Sequence, residues 1–127
     1  MAHVIIEWSA NLEEVLDRPG LMRLIAEDMR ERSDGTFPVG GIRVRAYRAD
    51  DYVIADGNGP DDAFVNIEVR MGVGRSEAFR KQYFDALFTR VRDFLADLFD
   101  QRPFALSLYV AEVEGWKHNS IHKRLKG

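Results

Sequence analysis

Alternation of apolar and polar residues sets the frame for this chain. In "GIRVRAYR", Ile42, Val44 and Ala46 fall on one side of an extended strand, and Arg43, Arg45 and Tyr47 fall on the other. In "AFVNIEVRM", Val65, Ile67 and Val69 face one way while Phe64, Asn66, Glu68 and Arg70 face the opposite way. Two further strands are expected, one at roughly His3 to Trp8 and one at "FALSLYVAEV". Helical spacing separates them in pairs. "PGLMRLIAEDMRER" carries Leu21, Leu24, Ile25, Asp28 and Met29 on one stripe, with Pro19 suited to the first turn and Ser33, Asp34 and Gly35 ending it. Ser76 is placed to cap "EAFRKQYFDALFTRVRDFLADLF", whose aromatic stripe reads as core and which is expected to run as one long helix until Pro103.

The order is therefore strand–helix–strand, then strand–helix–strand again. A helical crossover implies parallel, right-handed pairing within each unit. The expected fold is α/β (an α+β sandwich): duplicated βαβ units forming a mostly parallel four-stranded sheet with two helices on one face, in a single domain spanning residues 1–127. "ADDYVIADGNGPDD" is turn-rich, with Tyr52, Val53 and Ile54 as a candidate short strand or hairpin arm. The tail "EGWKHNSIHKRLKG" is polar and basic, with Trp116 and Ile121 as candidate anchors. Two helices cover only one face of a sheet that usually needs both covered. The second face mixes aromatic residues with opposite charges, which points to association with further copies of the chain.

Cysteine is absent from the 127 residues, which rules out thiol catalysis, thiolate metal sites and disulfides and fits a cytoplasmic setting. No apolar run approaches the roughly 20 residues that span a bilayer, and no signal peptide is expected. The net charge of −3, with acids and bases interspersed, argues against nucleic acid as partner. It leaves an anionic small molecule as the expected ligand where arginines gather. His118 and His122 stand four apart without a third ligand, so no metal site is expected. "GVGRS" reads as a strand-to-helix turn, lacking the lysine and spacing of a nucleotide loop. Ser9, Ser107 and Ser120 lack the context of a hydrolase nucleophile.

The stretches "HVIIEWSANL", "DRPGL", "TFPVGGIRVRA", "ADG", "AFVNIEVRMGVGRS" and "HNSIH", in that order, run nearly end to end. Together they resemble the 5-carboxymethyl-2-hydroxymuconate Δ-isomerase family of the tautomerase superfamily. The resemblance implies a tautomerase-like duplicated βαβ fold and homotrimers in which three sheets enclose a barrel and cover the bare face. It implies catalysis without metal or organic cofactor. An N-terminal proline, exposed when the initiator methionine is removed, acts as general base, and arginines hold a multiply charged carboxylate. The setting it implies is bacterial catabolism of hydroxylated phenylacetates.

Where that family has proline, this chain has Ala2. Once Met1 is removed, the α-amine of Ala2 would start from a pKa of about 7.7–8.0, which burial or a nearby arginine lowers toward neutrality, as a general base requires. Retention of Met1 would shift the amine by up to about 3.5 Å. The resemblance places Arg43, after the "FPVGGI" stretch, as the expected carboxylate ligand, with Arg45 as the alternative anchor. The other reading of Arg43 is an ion pair with Glu7 or Glu68 across a subunit boundary. Arg75 either contributes to the site or only flanks Ser76. Two functional readings follow: an isomerase moving a proton within an unsaturated, carboxylated keto acid, or a weakly active or inactive trimeric small-molecule binder or scaffold.

Overall fold

A computed structural model describes residues 2–125. Strand β1 (Ala2–Ser9) leads through a single 3-10 turn into helix α1 (Arg18–Arg32), and β2 (Ile42–Ala49) completes the first unit. The second unit is β3 (Ala63–Gly72), α2 (Glu77–Phe94), a short α3 (Ala96–Gln101) and β4 (Phe104–Val113), followed by α4 (Ile121–Leu125). The sheet order is β2-β1-β3-β4. Each unit pairs its own strands in parallel, β1 with β2 and β3 with β4, while the two units meet antiparallel along β1 and β3. This is the duplicated, mostly parallel sheet expected from the alternation.

The inward residues of the two central strands are among the driest in the molecule. Val4, Ile6, Val65, Ile67 and Val69 are buried beneath Leu21, Ile25 and Met29 of α1 and Leu87 and Val91 of α2. Removing that much apolar surface from water is the main force holding helices to sheet. Phe37, Phe79, Tyr83 and Phe84 add a cluster of edge-on and stacked rings, with Phe37 5.5 Å from Tyr83. Both helices start as their sequences direct. Asp17 accepts from the Gly20 amide at 3.0 Å, and Ser76 accepts from the Phe79 amide at 3.0 Å. Asp28, on the otherwise apolar stripe of α1, is buried but satisfied: the Tyr83 hydroxyl and an Arg90 N–H each donate to it at 2.7 Å. Burial, and then the Asp28 carboxylate, push the Tyr83 phenol far above its ordinary pKa, so it stays a donor.

Three expectations are corrected. The single long helix is interrupted at Leu95 (φ −101°, ψ 14°), where the chain bends so that Leu95 and Leu98 both stay buried on the way to β4. Tyr52, Val53 and Ile54 form no strand; Tyr52 folds back edge-on to Phe64 at 5.8 Å, Val53 is 84% exposed, and Ile54 accepts the Gly57 amide in a turn. Trp116 and Ile121 do not anchor the tail, being 88% and 43% exposed. The tail is tied instead by Asn119, whose side-chain amide donates to the Gly40 carbonyl at 2.8 Å, and by His122, packed so closely on Gly40 that a side chain there would collide with the imidazole.

Candidate active site

Strand alternation and register place the site. On the open face, opposite the helices, His3 pairs across β1 with Arg43 on one side and with Arg70 on the other. The next outward row is Arg45, Ile5, Glu68 and Tyr109, and the one after it is Tyr47, Glu7, Asn66 and Ser107. The head of β1 is thus cationic, and acidic side chains enter only further along. Arg70 is paired to Glu68 at 2.6 Å, and Glu7 accepts only a long contact, 3.5 Å, from Asn66. Among the described residues, neither Arg43 nor Arg45 has a carboxylate partner. Within one chain, Glu7 and Glu68 therefore leave Arg43 unpaired.

Both arginines turn to His3 instead. Arg43 Nη1 lies 2.9 Å from His3 Nε2, and Arg45 Nη1 lies 3.4 Å from His3 Nδ1. Burial, followed by the charges of Arg43, Arg45 and Arg70, holds the imidazole pKa below its ordinary 6.5, so His3 is neutral at neutral pH.

A cavity of about 450 Å³ opens beside this cluster. His3 and Arg43 form one wall, and Pro38 and Gly41 form the turn that enters β2. The tail supplies the rest through Trp116, Lys117, His118, Asn119 and His122. No aspartate or glutamate is among the described residues that line it. A cavity with three histidines, an arginine, a lysine and an indole suits a planar anion.

The sequence-derived residues fall into place unevenly. Ala2 is fully buried at the first position of β1 and pairs with Ile42, whose neighbours Gly41 and Arg43 line the cavity. Ala2 itself does not line the cavity; it adjoins His3, which does. Met1 lies outside the described residues. Arg43 is in the wall, whereas Arg45 reaches the site only through His3. Arg75 takes the structural alternative: it donates to the carbonyls of Gly72 at 2.9 Å and Thr36 at 3.1 Å and lies over the Phe37 ring. "GVGRS" is the expected strand-to-helix turn, with Gly74 at φ +111°. His118 precedes α4, so it shares no helix face with His122, and no cluster of three candidate metal ligands occurs among the described residues. Sequence reasoning missed His3 and the tail. The alternation of β1 carried the signal for His3, because it puts that side chain on the face of Arg43 and Arg45. The tail was marked in the sequence only by the "HNSIH" segment of the family resemblance, and its position depends on the approach to Gly40.

Comparison with known proteins agrees with this architecture. The family model for 5-carboxymethyl-2-hydroxymuconate isomerase matches residues 2–125. A curated 5-carboxymethyl-2-hydroxymuconate Δ-isomerase from Escherichia coli is 34% identical over 129 aligned residues, covering 99% of this chain and all of the relative. A crystal structure of a 5-carboxymethyl-2-hydroxymuconate isomerase from Deinococcus radiodurans R1 is 40% identical, with a TM-score of 0.91 over 99% of this chain and 95% of that one. A member of the cis-3-chloroacrylic acid dehalogenase family, at 16% identity and a TM-score of 0.62 over 89% of this chain and 76% of that one, shares the fold alone. The family-model match over residues 2–125 and the 34% identity to a relative covered along its whole length agree: the chain belongs to the 5-carboxymethyl-2-hydroxymuconate isomerase family.

Proposed function

We propose that this protein is a cofactor-independent isomerase that moves a proton within an unsaturated, carboxylated keto acid such as 5-carboxymethyl-2-hydroxymuconate. The observation that carries the reading is the cationic cavity at the head of β1, with no carboxylate among the described residues that line it, in a chain that matches this isomerase family along its whole described length. In the form processed to Ala2, the terminal amine is the general base. It removes a proton from the substrate's acidic carbon or enol oxygen, and the same proton returns further along the conjugated chain. Arg43 binds a carboxylate and stabilises the negative charge that develops on the enolate oxygen, a role in which a fixed donor needs no reorganisation during the reaction. Arg45 supports it from the open face. The active form is a homotrimer, with the charged outer rows of the sheet facing other copies, in the cytoplasmic breakdown of aromatic compounds. The scaffold alternative is less favoured, because Arg43, which has no carboxylate partner among the described residues, lines a cavity of about 450 Å³.

The test uses three forms whose intact masses are verified: Met1-retained, Ala2-terminal, and Ala2→Pro with Met1 removed. The ultraviolet change on 5-carboxymethyl-2-hydroxymuconate reports turnover. Loss of a positioned general base costs about 10²–10⁴-fold, so the Met1-retained form should be slower than the Ala2-terminal form by that order. The proline form should equal or exceed the Ala2-terminal form. Equal rates for all three would remove the terminal amine from the mechanism.

A further inference from the structure

His3 stands between two guanidinium groups, and a neutral imidazole has only one acceptor nitrogen. Arginine donates and never accepts. The short contact to Arg43, 2.9 Å, makes Nε2 the acceptor and leaves the proton on Nδ1. That N–H then faces Arg45 Nη1 at 3.4 Å, donor against donor. Two donors that converge without an acceptor are suited to a carboxylate oxygen, which can receive both. Glu68, the carboxylate in the adjoining outward row, is already held by Arg70.

We propose that His3 makes this site selective for dicarboxylates: Nε2 orients Arg43 toward one carboxylate, and Nδ1–H together with Arg45 forms a second carboxylate-binding point. The proposal rests on the isomerase reading and specifies which groups recognise two of the carboxylates of a multiply charged substrate. His3 is a positioning residue toward Arg43 and a binding residue toward the second carboxylate. The same carboxylate chemistry could come from a glutamate of a neighbouring copy, and the test separates the two sources.

The probes are trans,trans-muconate and sorbate, which share a six-carbon diene and differ by one carboxylate. Dissociation constants are measured for each, with oligomeric state followed by light scattering. Wild type should bind muconate about tenfold or more tightly than sorbate, the value of one charge-assisted hydrogen bond. Arg45→Met should erase that preference, weaken muconate alone and leave the oligomer intact. His3→Phe should weaken both probes, and His3→Gln, which keeps an acceptor within reach of Arg43, should restore sorbate binding. The ¹⁵N shifts of the imidazole should show Nδ1 protonated and Nε2 bare. No preference in wild type, an equal loss of both probes in Arg45→Met, or the opposite tautomer would overturn the proposal. Dissociation of the oligomer in Arg45→Met would overturn it in favour of a neighbouring glutamate. Turnover is scored separately: selectivity without turnover defeats the isomerase reading, and turnover without selectivity defeats this one.

Discussion

The two βαβ units have the same backbone plan but different chemistry at their starts. Ala2 pairs with Ile42 at the head of the first unit, as Ala63 pairs with Phe104 at the head of the second. His3 and Arg43 in the first therefore correspond to Phe64 and Ala105 in the second, and Arg45 corresponds to Ser107. Because β1 and β3 run antiparallel, the two heads lie at opposite ends of the sheet. One head opens onto a cationic cavity framed by the tail. The other is covered by Tyr52, whose ring packs edge-on to Phe64. Its edge is closed by Ser9, which accepts the Phe64 amide at 2.9 Å, and by Asn11, which donates to the Asp62 carbonyl at 2.7 Å. Duplication repeats the scaffold, and a few outward-facing substitutions decide which copy of it has a site.

The core provides the largest test of this comparison, because there the two units should behave alike. Ile6 and Ile67 are equivalent positions, cross-strand partners and almost completely buried. Ile6→Ala and Ile67→Ala should each cost about 2–5 kcal/mol in denaturant unfolding. If one is costly and the other near neutral, the halves are not equivalent in packing.

Outward positions should diverge. Arg43→Ala should weaken binding of carboxylated keto–enol ligands by about 1.5–3 kcal/mol while leaving the oligomer intact. Ser107→Ala, at the second unit's counterpart of Arg45, should leave ligand affinity unchanged. Unchanged affinity in Arg43→Ala removes that residue from the site, and loss of the oligomer assigns it to an ion pair between subunits.

A smaller effect is expected from pH. The folded state holds the His3 pKa below 6.5, so the unfolded chain takes up a proton there before the native protein does. Stability should therefore fall as pH drops from about 6.5 to the lowered folded value and level off below it for this group. Phe64 has no titrating counterpart to contribute. Urea titrations of wild type and His3→Gln across this range should show the slope only in wild type. A slope that persists in His3→Gln belongs to other groups.

Much of the fold was legible because strand alternation and helical spacing act locally. The outward faces of Arg43 and Arg45 followed from period two alone. What was missed depends on contacts distant in sequence. The bend at Leu95 follows from keeping two leucines on the core, and at Tyr52–Ile54 a strand gives way to the packing of Tyr52 on Phe64 and the turn from Ile54 to Gly57. The family resemblance pointed to Ala2 and Arg43. His3 emerged only when register set it between two arginines, and the tail only through its contact with Gly40.

The central claim is that carboxylated ligands bind at the first head and not at the second. Titration of ¹⁵N-labelled protein with trans,trans-muconate, followed by backbone amide shifts, tests it directly. The account predicts saturable shifts at His3, Gly41, Arg43 and Asn119, with Phe64, Ala105 and Tyr52 unmoved. Shifts centred on Phe64 and Ala105, or none at His3 and Arg43 at saturating ligand, would contradict it.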